Sequence, residues 1–361
     1  MKNKGRLIND QIERRNMNKI LTAVGNNYSI NPIVLVDIGA RWGVQRPWNN
    51  FPEKYLRYFG FDADSEECKR LNADNKHNTS VVYLPAVIFE KESDEILYLT
   101  EEEGCSSVYK PNYQILNKYF FKEQWNIKKE IKVRTTTLNN FFLENKVDPD
   151  FVKIDTQGSE LNILKGAGSC LDSVIGLELE VEFLEMYKGQ PLFSEVDSFV
   201  REKGFELFDL NRYWANRDNM SKYNLNRGQI MFGDAIYFRS LDSFYSINLH
   251  SEQQKEKLLK LIIVFSLYGF FDAAVDYINH DLSPLNSKEK ETLSKILSKI
   301  SGFPVWQRIL FNNKYVGKGG SFFKLVGNFL SFRLNTYGWG TDYNAIDGRF
   351  PYFRKKEKFS R

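Results

Sequence analysis

The chain has 361 residues, 42% of them hydrophobic and 27% charged, enough for one large buried core and an extension. Its net charge of +4 is unevenly spread: residues 308–361 hold 11 basic and 3 acidic side chains, so the first 307 carry −4 and the basic character is confined to the tail. Three distant cysteines without a C-x-x-C, and three scattered histidines, argue against a disulfide framework and a zinc cluster, and favour a reducing, cytoplasmic compartment.

Residues 1–30 are expected to form a helical lead-in, polar at the start and without an apolar signal core. From about 31 to 240, short apolar runs alternate with amphipathic ones, the pattern of strands and helices in a mostly parallel sheet. Core strands are predicted at 33–38, 57–62, 80–84, 151–155, 174–180, 205–210 and 229–238. "SEECKRLNADN" (65–75) reads as a helix with a Ser65 cap, and "LFSEVDSFVREKG" (192–204) as one stopped by a glycine. The alternation breaks at 95–134, where "EILYLT" and "IKKEIKVRT" predict an extra pair of strands around a polar, aromatic insert. Residues 251–300 read as two or three helices with a turn near Pro284. The stretch "LLKLIIVFSLYGFF" (258–271) contains Lys260 and is too short to span a bilayer, so it reads as a buried helix. Residues 241–361 therefore form a helical, aromatic and basic extension.

"IVLVDIGARWGVQRPW" (33–48) runs a hydrophobic strand into D-x-G-x-x-x-G, the first strand-to-helix turn of a doubly wound sheet, where ligands bind at the carboxyl ends of strands. Gly39 and Gly43 let a ligand approach the backbone. The loop lacks the G-x-G-x-x-G of a dinucleotide site, and Asp37 would repel a pyrophosphate. A carboxylate suits S-adenosylmethionine, which offers an ammonium, a sulfonium and a ribose diol but no phosphate. Asp62, 25 residues after Asp37, ends the next strand where an acid accepts hydrogen bonds from ribose hydroxyls. The simpler reading is that both acids cap helices.

"FVKIDTQGSELNILKGA" (151–167) is a strand ending in an acid, a glycine turn and a helix that begins by Glu160. With its K-I-D, Q-G-x-E and L-K-G-A, it resembles the signature of FkbM-family methyltransferases. "YFGFDADSEE" (58–67), "GCSSVYKP" (104–111), "LELEVEFLEMYKGQPLFSEVDSFVREKGFELFDL" (177–210) and "RGQIMFGDAIYFR" (227–239) resemble the family's other segments in order. Asn139, where the family often has Asp, and Phe89, where a polar residue is usual, depart from the pattern.

The resemblance implies a Rossmann-like doubly wound sheet of the class I methyltransferase type, about seven strands, over 31–240. It implies S-adenosylmethionine as cofactor, contacted by Asp37, Gly39, Gly43, Asp62 and Ser107, and transfer to a hydroxyl of a glycan, glycolipid or small natural product. Asp155 is then the first candidate for base or acceptor-orienting residue, with Glu160 next. Gln157 and Glu180 would line the acceptor pocket. No metal is expected, because Asp155 lacks an obvious second and third ligand. The competing expectations are an oxidoreductase on the same sheet, disfavoured by the missing dinucleotide motif, and a non-catalytic binding module recruited by its tail. No nucleic-acid partner is expected, since no N/D-P-P-Y motif stands at "KIDTQG". "SFFKLVGNFLSFRL" (321–334) places apolar residues on one helical face with basic flanks. Residues 318–361 would then touch a membrane peripherally, or pack on the sheet domain or on a second copy in a homo-oligomer.

Overall fold

The computed structural model describes residues 18–22, 24–25, 28–218 and 228–301, and divides into two compact units. The larger holds Val34–Gly43 and the described part of Tyr58–Ser240; the other holds Val44–Arg57 with the described residues before 34 and after 240. Ten strands run in chain order as β1 (Ile33–Ile38), β2 (Leu56–Asp62), β3 (Val81–Pro85), β4 (Val87–Ile88), β5 (Asp94–Thr100), β6 (Ile127–Thr136), β7 (Phe151–Ile154), β8 (Gly176–Glu182), β9 (Phe205–Ala215) and β10 (Gln229–Arg239). Seven form one sheet in the order β3-β2-β1-β7-β8-β10-β9. β7 is parallel to β1 and to β8, whereas β10 runs antiparallel to β8 and β9. All seven predicted core strands are present; β9 continues past its expected end to Ala215 because it pairs with β10 to that strand's first residue, Gln229. The extra pair in the insert is also present, as antiparallel β5 and β6, with β4 added beside β6.

The helices of this unit are α1 (Ser65–Asp74), α2 (Tyr113–Leu116), α3 (Leu138–Asn145), α4 (Glu160–Gly166) and α5 (Phe193–Glu202). The cap of α1 is Asp64 rather than Ser65: its carboxylate accepts from Glu66 and Glu67 N–H at 2.9 and 3.3 Å, satisfying donors that the first turn leaves free. Strand β8, "GLELEVE", explains how the sheet divides its faces. Leu177, Leu179 and Val181 enter the main core with Val36, Ile38, Val152 and Ile154, covered by Leu138, Ile163, Leu164, Val196 and Val200 of α3, α4 and α5. Successive side chains of a strand alternate in direction, so Glu178, Glu180 and Glu182 fall on the opposite face. A second apolar cluster joins the insert, through Leu116, Tyr119 and Trp125, to Met186 and Tyr187 beyond β8.

In the other unit, α6 (Leu241–Tyr245), α7 (Ser251–Tyr268), α8 (Phe271–Asn279) and α9 (Ser287–Ser301) form the described part of the extension. Residues 257–268 of α7 are buried throughout, and Lys260 keeps its charge paired with Glu256 at 3.3 Å. Trp48 donates to the Tyr268 hydroxyl at 2.9 Å, tying Val44–Arg57 to this helix. No helix among the described residues is long and apolar enough to cross a membrane. Of the expected lead-in, residues 18–22 and 24–25 are helical, whereas 28–30 are not. The amphipathic stretch 321–334 and the rest of 318–361 lie outside the described residues.

Candidate active site

The loop after β1 is shaped by close packing. Gly39 adopts φ +89°, and a Cβ there would stand 1.8 Å from the carbonyl oxygen of Asp155. A side chain is therefore excluded both by conformation and by the neighbouring strand end. Gly39 and Ala40 each donate to the Phe61 carbonyl at 2.9 Å, which pins the loop to the end of β2. Gly43 closes the turn with φ +77°. Beside this loop Asp62 is 9% exposed, and one carboxylate oxygen accepts from Asp64 N–H at 2.8 Å. No donor among the described residues bonds to its second oxygen. Burial raises its pKa, opposed by the Asp64 N–H and by Arg41, whose guanidinium stands 3.7 Å away. Arg41 also pairs with Asp64 at 3.1 Å and with Glu103 of the insert at 2.7 Å.

Asp37 is internal. It is 2% exposed, accepts from the Tyr58 hydroxyl at 2.8 Å, and pairs with Lys153 Nζ at 3.5 Å. Lys153 is opposite Asp37 in the β1–β7 register and stands 3.6 Å from Asp155 on its other side. Burial pushes the pKa of Asp37 up, against the pull of Lys153 and Tyr58. Burial works against the ammonium of Lys153 as well, but Asp37 and Asp155 outweigh it and raise its pKa. Asp37 thus holds the loop through a buried ion pair.

The turn after β7 is held by its own side chains. Glu160 is 1% exposed; Oε1 accepts from Thr156 N–H at 2.8 Å and from its hydroxyl at 2.9 Å, while Oε2 accepts from Gly158 N–H at 3.0 Å. Burial raises its pKa to about 7 despite these donors. Gln157 has a left-handed backbone, φ +62°. Its amide donates to Glu180 at 2.5 Å and to Asp155 at 3.3 Å, and its side-chain oxygen accepts from the Tyr187 hydroxyl at 2.9 Å. The Ser107 hydroxyl donates to the Gln157 carbonyl at 2.7 Å, fastening the insert to this turn. Among these acids Asp155 stands apart, with a side chain 33% exposed.

Behind the turn lies a row of carboxylates. Glu180 of β8 is opposite Asp234 of β10, which is in turn opposite Asn211 of β9. Tyr213 and Asn211 donate to Asp234 at 3.0 and 3.2 Å. Burial first, then the charge of Asp155, raises Asp234 to about 6. Burial and neighbouring acids lift Glu180 and Glu182 well above the carboxylate range. Glu160, Glu180 and Glu182 each bring a carboxylate oxygen within 4.8 Å of the other two.

A seven-stranded sheet with this order, its next-to-last strand antiparallel, and a glycine loop and acid at the ends of β1 and β2 define a class I methyltransferase. The Methyltransferase FkbM domain matches residues 14–207, more than half of the sequence. The chain belongs to the FkbM methyltransferase family, and its methyl donor is S-adenosylmethionine. No curated protein matches it. Among solved structures, precorrin-6y C5,15-methyltransferase from Geobacter metallireducens GS-15 is 11% identical, with 62% of this chain and 87% of that one covered and a TM-score of 0.29. Magnesium protoporphyrin IX methyltransferase from Synechocystis PCC 6803 with bound SAM is 8% identical, covering 64% and 81%, with a TM-score of 0.30. TrmK of M. capricolum in complex with S-adenosyl-homocysteine is 10% identical, covering 79% and 96%, with a TM-score of 0.30.

The residues present fit this donor. The Gly39 turn presents backbone without side chains, and Asp62 keeps one carboxylate oxygen without a hydrogen-bond donor among the described residues, as a diol requires. Asp37, Gly39, Gly43 and Asp62 gather at the ends of β1 and β2, and Asp155, Gln157, Glu160, Glu180 and Ser107 gather around the turn after β7. The sequence reading gave no role to Lys153, Arg41, Tyr58, Tyr187 or Asp234. Lys153 stands inside the K-I-D signature, and Glu182 lies in the segment 177–210 that resembles the family. Nothing in the spacing of Arg41, Tyr58, Tyr187 or Asp234 marked them, because strand register and the docking of the insert bring them in.

Proposed function

We propose that the chain is an O-methyltransferase acting on a hydroxyl of a glycan, a glycolipid or a small natural product. The observation that carries this reading is the accessibility of Asp155, 33% exposed beside the cofactor loop while Asp37, Glu160 and Glu182 are 1–2% exposed. S-adenosylmethionine supplies an electrophilic methyl group, so the protein's task is to align donor and acceptor and to manage one proton. An alcohol is a weak nucleophile near neutral pH, and a positioned carboxylate that takes its proton helps the attack. Asp155 is suited to that part: Lys153 and the Gln157 amide contact its two oxygens and fix its orientation without covering it. Glu160 has its oxygens turned to Thr156 and Gly158, and Ser107 is spent on Gln157, so both serve as positioning residues. Gln157 and Glu180 shape the wall beside Asp155. Asp62 holds the ribose and Asp37 the loop.

The test is mass spectrometry of cell-surface glycans and lipid extracts from cells with and without the protein. A mass increase of 14 daltons per acceptor, carried as an alkali-stable methyl ether, is the expected result. Methylation found only on nitrogen or carbon would overturn the hydroxyl acceptor. Cofactor binding without any methylated product would favour a binding module instead.

A further inference from the structure

The carboxylates of Glu160, Glu180 and Glu182 meet in the interior, without a basic partner among the described residues. Glu180 and Glu182 come from one face of β8, and Glu160 from the first turn of α4. One oxygen of each lies within 4.8 Å of those of the other two. Glu160 and Glu182 are 1% exposed and Glu180 is 7% exposed. Among the described residues, none of the three makes an ion pair; the buried ammonium of Lys153 is engaged by Asp37 and Asp155. Glu182 Oε1 is buried and has no hydrogen-bond partner among the described residues. Leaving a buried carboxylate oxygen without a donor is costly, and three such groups side by side repel one another.

Two things relieve such a cluster, bound protons or a bound cation. The donor set fits the cation: Glu182 Oε1, buried and without a hydrogen-bond partner among the described residues, is an acceptor still open to a ligand. Oxygens that share one ion stand farther apart than hydrogen-bonded ones: with ligand distances of about 2.0–2.6 Å, two of them reach about 4–5 Å across the ion. All donors are carboxylate oxygens, with no thiol or imidazole, which selects a hard divalent ion of the Mg²⁺, Mn²⁺ or Ca²⁺ class over zinc or copper.

We propose that Glu160, Glu180 and Glu182 form a binding site for one hard divalent cation, completed by water. The ion ties the Thr156–Glu160 turn to β8. It thereby stiffens the segment that carries Asp155 and Gln157, whose amide already reaches Glu180. Glu160 keeps its hydrogen bonds to Thr156 and Gly158, since a carboxylate has lone pairs for both a donor and a metal.

The experiment titrates full-length protein, stripped with a chelator, with Mn²⁺ at pH 7.5, following free Mn²⁺ by electron paramagnetic resonance and unfolding by calorimetry. The wild type is expected to bind one equivalent and, at about 100 times its Kd, to gain about 5 °C in Tm. Glu182→Gln and Glu180→Gln, which keep shape and remove charge, are each expected to weaken binding at least tenfold. Both are also expected to leave the metal-free protein at least as stable as wild type, because each removes a repelling charge. Glu144→Gln, on the exposed end of α3, is expected to bind as wild type does. No binding at about 1 mM Mn²⁺ would overturn the site in favour of shared protons. Equal affinity in both core variants would mean an adventitious ion only. Binding is read without donor or acceptor, so its outcome is separate from that of the hydroxyl assignment.

Discussion

Lys153 and Asp37 face each other across the parallel β1–β7 ladder and form a buried ion pair at 3.5 Å. Removing one partner leaves a buried charge uncompensated, which typically costs about 3 to 5 kcal/mol. Lys153→Met is therefore expected to lower the urea midpoint by a corresponding amount, and adding Asp37→Asn to recover part of the loss. Wild-type stability in the single variant would show that Asp37 takes up a proton at little cost.

Asp62 should hold the ribose diol. A lost hydrogen bond to a charged group costs about 1.5 to 3 kcal/mol, so Asp62→Ala is expected to weaken S-adenosylmethionine binding by more than about tenfold. Isothermal titration calorimetry measures it. Equal affinity would reduce Asp62 to an anchor for Asp64 and Arg41.

Asp155→Asn keeps the side chain's shape and its contact with Gln157 but removes the base. Turnover on the true acceptor is expected to fall by about 10² or more, while cofactor affinity changes little. Near-normal turnover would leave alignment alone as the source of rate.

Gly39→Ala would drive a Cβ into the Asp155 carbonyl at a φ that side chains avoid. A destabilisation of more than about 2 kcal/mol is expected, with loss of cofactor binding. Gly104 offers the contrast, since a Cβ there meets nothing within 4 Å. Gly104→Ala should stay within about 0.5 kcal/mol of wild type in the same denaturation assay.

Burial holds the Cys68 thiol at about 11 and the Cys105 thiol at about 12. The reactive thiolate is therefore scarce in the folded protein at pH 8 and abundant only well above it. Both thiols should resist a disulfide reagent at pH 8 until urea unfolds the chain. Rapid native-state labelling of either would contradict the packing around α1 or the insert.

Period-two alternation and turn glycines were enough to find the seven strands of the sheet, the extra β5–β6 pair and the D-x-G turn. Those signals are local: each reports which side of a strand is buried and where the backbone must bend. The K-I-D-T-Q-G-S-E run likewise placed Asp155, Gln157 and Glu160 on one turn, because residues that close in sequence cannot be far apart. Which distant side chains meet was decided by register and packing. Lys153 reaches Asp37 only because β7 inserts beside β1 with Lys153 opposite Asp37, across 116 residues of chain. Asp234 joins Glu180 only because β10 runs antiparallel to β8. Arg41 finds Glu103, and Tyr187 finds Gln157, through docking of the insert. The alternation of side chains along a strand also places Glu178, Glu180 and Glu182 on one face, with no sign of what meets them there. Only the tertiary structure buried Glu180 and Glu182 beside Glu160, and it is the loss of water that makes three neighbouring carboxylates demand a proton or a cation.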